Sequence, residues 1–197
     1  MTSIVFTKTA EFMRLVSADL HKSLLDGLDR YVPRLLELYR AQGGRVTQLQ
    51  RLLESLGVQN SNQNKRAAAL LGLPHFMKED PSNFIKFCQA SDSKEGVVTG
   101  VDVGVLIVRE DGEEAVLPNN VLDVSVILEG HIVLNELSDV PSAFSVLVGL
   151  LYSLNIDYPK GLKYTFEVLQ KVLMDVGGGT CSAHALGLRN KLLQGTL

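Results

Sequence analysis

VVTGVDVGVLIVRED (97–111) and LDVSVILEGHIVLNEL (122–137) decide how this chain is read. The first stretch is dense in β-branched residues, lacks a helical period and closes on the turn signal Asp111-Gly112. The second carries Glu129-Gly130 as a tight turn between two short strands. Residues 97–136 therefore predict a three- to four-stranded, largely antiparallel sheet with an apolar face that needs a cover.

Carboxy-terminal to that sheet the period changes. Asp139 and Pro141 open an apolar helix running to about residue 154, a turn spans 155–161, and a helix follows over 162–176. Gly177-Gly178-Gly179 end it, and a short helix over 182–193 closes the chain. Leu150 and Phe166 are expected in the core of this part. On the amino-terminal side, Phe12, Leu15, Val16, Leu20, Leu24, Leu25 and Leu28 follow a helical period over 11–28. Pro33 suits the first turn of a second helix ending near Gly43-Gly44, and TQLQRLLESLG (47–57) predicts a third. A polar connector (58–64), a helical piece over 65–71 and a helix started by Pro81, with Phe84, Ile85 and Cys88 on its buried face, complete the first half. Residues 1–10 read as a short edge strand or as disordered. The expected fold class is α+β: a helical amino-terminal half (1–90), then a small, mainly antiparallel sheet packed against carboxy-terminal helices (91–197), as two regions or one continuous compact domain.

A chain of 197 residues buries a sizeable core without disulfides or structural metals. The net charge of −3 gives no general attraction to nucleic acid or anionic membrane, but the charges are segregated. Residues 31–66 hold six basic side chains (Arg34, Arg40, Arg45, Arg51, Lys65, Arg66) against two acids, a net of +4. Residues 97–140 hold Arg109 against nine acids, a net of −8. The two stretches can attract each other within one molecule, between copies, or steer a partner. Lys8, Glu11 and Arg14 interrupt the apolar run that a secretory signal needs, and the longest apolar stretch, 146–151, is far below the roughly 20 residues that cross a bilayer. Cys88 and Cys181, 93 positions apart, make no staple pattern. A cytoplasmic or nuclear setting with no membrane partner is expected.

No nucleophile elbow, Walker loop, H-E-x-x-H or calcium loop is present, and His21, His75, His131 and His184 are scattered without metal-ligand spacing. No catalytic, cofactor-binding or metal residue is assigned, and no cofactor is expected. Three stretches are weighed for chemistry and read structurally. The triple glycine with Thr180 resembles an anion cradle but follows a helix, not a strand, and reads as a helix terminator and hinge. Cys181 with His184 could pair as nucleophile and base but has no third, orienting residue. Glu110, Asp111, Glu113 and Glu114 surround a turn and read as a solvated face.

KRAAALLGLPHFMKEDPSNFIKF (65–87), VGVLIVREDG (103–112) and FSVLVGLLYSLNIDYPKGLKYTFEVLQKVLMDVG (144–177) together resemble the carboxy-terminal region of fish proteins described as sterile alpha motif domain-containing protein 3-like. The likeness spans roughly residues 30–194 and rests on Leu71-Gly72-Leu73-Pro74, Asp80-Pro81-Ser82 and the closing helix pair. It implies an intracellular module and carries over no catalytic or ligand-binding residue. The sterile alpha motif itself is not evident in residues 11–57. With no chemistry assigned, the expected function is a non-catalytic protein-protein interaction or adaptor role, with a protein partner or self-association. Arg34, Arg40, Arg45 and Arg51 form the candidate interaction face. The alternatives are a nucleic-acid-associated regulator using that basic face, and an enzyme whose site assembles over long range.

Overall fold

The computed structural model describes residues 2–58, 60–114, 117, 121–177 and 179–194, with residues 2–18 as backbone. It is an α+β fold: a helical amino-terminal region, a four-stranded mixed sheet and carboxy-terminal helices packed together.

Helix α1 runs unbroken over Thr2–Gly43, about 63 Å at the usual rise per residue. It corrects two expectations: residues 2–10 are helical, and Pro33 lies inside a helix, not at the start of one. Leu24, Leu28, Tyr31, Val32, Leu35, Leu36 and Tyr39 form one buried stripe that continues straight across the proline. Asp29, whose carbonyl loses its donor to Pro33, and Pro33 itself are both exposed, so the orphaned carbonyl lies on the solvent side while packing holds the helix together. After the Gly43-Gly44 break, α2 (Thr47–Val58) turns back and buries Leu49, Leu52 and Leu56.

Helix α3 (Asn62–Phe76) starts earlier and ends later than expected, because Ser61 caps it through the Asn64 amide at 3.1 Å and Pro74 sits within its last turn. Its residues Ala67 to Pro74 are all buried, as for a helix enclosed on every side. Gly72 lets it approach the Tyr39 ring and Leu52, and the Tyr39 hydroxyl donates to the Ala69 carbonyl at 2.7 Å.

The segment after Pro81 is not a helix. Asp80 accepts the Ser82 amide, the amides of Phe84 and Ile85 both turn back to the Pro81 carbonyl at 2.8 Å, and the chain leaves as strand β1 (Ile85–Gln89). Short helix α4 (Lys94–Val98) crosses over to β2 (Val103–Arg109), so 97–100, expected in a strand, ends a helix and turns at Gly100. Strands β3 (Val121–Leu128) and β4 (His131–Leu137) follow around the Glu129-Gly130 turn. The order is β1-β2-β3-β4. The last three strands are antiparallel, as expected, while β1 is parallel to β2 because the α4 crossover returns the chain to the same end.

Val103, Val105, Ile107, Val124, Val126 and Leu128 give the sheet one face in the main core, continuous with the buried residues of α1, α2 and α3. Cys88, Leu106, Val108 and Ile127 line the other face, where Val98 and Val101 cover them in a smaller cluster. Helix α5 (Val140–Leu154), capped by Asp139 and ended by left-handed Asn155, packs on α1 and the sheet. Helix α6 (Lys163–Val168) passes directly into a π-helical turn, Leu169–Leu173, and Ser182 caps α7 (Ala183–Leu193).

Candidate interaction groove

A four-stranded open sheet has two edges, and here they differ. The β4 edge is irregular: its register with β3 shifts twice, and Glu136 is left-handed with its amide turned to the Asp123 carboxylate at 2.7 Å. Bulges of this kind twist an edge away from further pairing. The β1 edge pairs with β2 without a shift. The Val105 amide bonds to the Phe84 carbonyl and the Ala90 amide to the Arg109 carbonyl, so even-numbered residues of β1 face β2 and odd-numbered ones face outward. Two of the outward residues are tied down. The Ile85 amide donates to the Pro81 carbonyl, and Gln89 is closed by the Asp92 carboxylate on its amide and the Asp92 amide on its carbonyl. The amide and carbonyl of Phe87, midway between them, are left facing out.

Beside this edge lies a groove of about 260 Å³, bounded by Gln48 of α2, Leu71 and His75 of α3, the Asp80-Pro81-Ser82 turn, and Ile85 and Phe87 of β1. Its floor is apolar, from Leu71, Ile85 and Phe87. Burial pulls His75 below the usual imidazole range, opposed by the nearby Asp80 carboxylate, so the ring is neutral at pH 7. Hydrogen bonds from the Ser82 amide (2.9 Å) and hydroxyl (3.0 Å) hold Asp80 below the usual carboxylate range. The Arg109 guanidinium stacks over the Phe87 ring at 5.4 Å.

The four arginines of the expected interaction face have different surroundings. Arg34 is engaged: it pairs with Glu37 at 2.8 Å and donates to the Lys191 carbonyl at 3.3 Å, tying α1 to the last turn of α7. Arg40, Arg45 and Arg51 are exposed around the corner between α1 and α2. Arg51 lies three residues after Gln48, on the same face of α2. Among the described residues no ion pair joins 31–66 to 97–140; the pairs formed are Arg34–Glu37, Arg66–Asp29, Lys94–Asp123 and Lys171–Glu167.

The other stretches weighed for chemistry are taken up structurally. The His184 ring stacks on Tyr164, centroids 4.3 Å apart, and Cys181 packs against the core; Cys88 is buried, and both thiols are free. Gly177 and Gly179 have positive φ in the connection to α7, where Lys171 donates to the Thr180 carbonyl at 2.6 Å, and Gly178 lies outside the described residues. Asp111 accepts both the amide and the hydroxyl of Ser91. Among the described residues no three His, Cys, Asp or Glu side chains are grouped to hold a metal, and no helix is long and apolar enough to cross a membrane.

The sequence marked no groove residue as a site: it put Ile85 on a buried helix face and His75 among the scattered histidines, and gave Gln48 and Phe87 no role. Only Lys86 between Ile85 and Phe87 hinted at a strand; buried Phe84 and Cys88 break the alternation, and Pro81 reads as a helix start. No protein-family model, curated protein or solved structure matches the chain.

Proposed function

We propose that the protein is a non-catalytic interaction or adaptor module of the cytoplasm or nucleus that receives an extended segment of a protein partner along the β1 edge. One observation carries the reading: the outward amide and carbonyl of Phe87, on a straight edge strand, stand beside an apolar groove. Strand addition needs both parts. Main-chain hydrogen bonds supply affinity, and pockets for alternate side chains supply selectivity. The bulged β4 edge lacks the first, and the exposed arginine corner by itself lacks the second.

A library of displayed twelve-residue peptides tests this. Selection on the purified protein should enrich peptides with alternating apolar residues, and a selected peptide should slow hydrogen exchange at the Phe87 amide. Failure to enrich any peptide, or enrichment of peptides that leave Phe87 exchange unchanged, refutes the reading.

A further inference from the structure

We infer, resting on the groove reading above, that acid releases the segment taken up along β1 through His75: the groove holds it while this imidazole is neutral and lets it go once the ring is protonated. His75 stands near the end of α3, half-buried in the groove lining, with Leu71 one turn before it. Among the described residues no hydrogen bond reaches either ring nitrogen, and neither is sealed from solvent. Water entering the groove therefore solvates the ring.

Two influences compete over a proton at His75. Burial works against the charged ring and the Asp80 carboxylate works for it, and in the protein alone burial wins. Asp80 is exposed and already accepts the Ser82 amide and hydroxyl, at 2.9 and 3.0 Å, and Lys86 of β1 acts on the same carboxylate. The other elements around the groove line it without charge: α2 contributes Gln48, α3 Leu71, and β1 Ile85 and Phe87. A strand paired to β1 shares the faces of its pleat, so its apolar side chains beside Ile85 and Phe87 enter the groove. They take water from the imidazole and add to the influence that already wins. The segment thus binds the neutral ring better than the protonated one, and by reciprocity the proton weakens the segment.

A peptide enriched at about pH 7.5 from the displayed library tests the inference, provided that it lacks histidine and carboxylate side chains and is amidated at its carboxy terminus. Its affinity is read by fluorescence anisotropy at pH values where far-UV circular dichroism shows the protein folded. Affinity should be level above about pH 7.5, begin to fall as the pH drops through 6.5, and decline by at most about tenfold per pH unit below that. His75→Gln should flatten this profile, whatever its affinity at the upper end. Asp80→Asn, which removes the charge opposing burial, should move the decline to lower pH. In the unsubstituted protein, saturating peptide should move the titration of the His75 ring protons, assigned by their loss in His75→Gln, to lower pH. Level affinity down to about pH 5, a gain in acid, a decline that persists in His75→Gln, or a ring titration that peptide does not lower overturns the inference. Each of these leaves the strand-addition reading standing, whereas failure to enrich any peptide removes both.

Discussion

Gly27 of α1 lies directly against the backbone of Leu173 in the π-helical turn. A Cβ placed on Gly27 would overlap the Leu173 carbonyl oxygen and stand 2.7 Å from its carbonyl carbon and 3.0 Å from its Cα. No side-chain rotation relieves a clash with backbone, so the long helix or the π turn would have to move. Gly27→Ala is expected to lower stability by about 3 kcal/mol. Gly187, inside α7, gives the contrast, since a methyl group there would meet nothing within 4 Å. Gly187→Ala should raise stability by about 0.5–1 kcal/mol through helix propensity alone. Urea unfolding midpoints of the two variants check both signs, and an unchanged midpoint for Gly27→Ala would show that the two elements do not touch.

Phe166 is fully buried, its ring meeting Phe84 edge-on at 5.4 Å and stacking on Tyr158 at 5.3 Å, while Phe84 continues the cluster to Phe144 at 5.6 Å. Removing the central ring leaves a cavity that three elements cannot close. Phe166→Ala should cost about 3–5 kcal/mol. Leu150, expected in the core alongside it, is only half-buried at the edge of α5, so Leu150→Ala should cost about 1 kcal/mol. Equal losses in denaturant titrations would contradict this ranking.

The legible parts of the fold were those with strong local signals. The β-branched run through Val103–Arg109, the Glu129-Gly130 turn and the Asp139-Pro141 helix start all state their structure within a few residues. Two prolines misled in opposite directions. Pro33 reads as a boundary, but the apolar stripe on both sides of it buries enough surface to carry the helix through. Pro81 reads as a helix start, but the Asp80–Ser82 bonds and the ladder offered by β2 draw Ile85–Gln89 into a strand. Of the candidate site, the exposed Arg45 and Arg51 could be read from charge clustering. The groove could not, because Gln48, His75 and Phe87 come together only through the packing of three elements.

Helix α6 has no capping side chain at its own amino terminus; Glu79, about 85 positions earlier, performs that role. Its carboxylate accepts the Tyr164 and Thr165 amides, each at 2.8 Å, and the Thr165 hydroxyl at 2.7 Å. Glu79→Ala should therefore cost about 1–2 kcal/mol, the usual loss for a helix cap. Amide exchange at Tyr164 and Thr165 should speed up more than exchange in α5. A uniform change across both helices would indicate global destabilisation in place of a lost cap.

Acid should weaken the fold in two separate windows. His75 sits in the groove with its folded pKa pulled below the ordinary value near 6.5 by burial, the Asp80 charge opposing. On acidification the unfolded chain therefore takes up this proton before the folded one. The stabilising contribution is complete above about pH 7.5 and is lost as the pH falls through 6.5 toward the folded value. Asp123 titrates later: burial alone would raise its pKa, but hydrogen bonds from Lys94, Ser125 and the Glu136 amide hold it below the carboxylate range. Its contribution is present above about pH 4 and disappears below that. Stability followed by urea unfolding should thus begin to decline as the pH falls through 6.5, and decline again below about pH 4. His75→Gln should flatten the upper decline and spare the lower one, while Asp123→Asn should reduce the lower one, which Asp80, Asp111 and Glu167 share, and spare the upper. An upper decline unchanged in His75→Gln would assign it to a different group and remove the neutral, half-buried imidazole from the account of the groove.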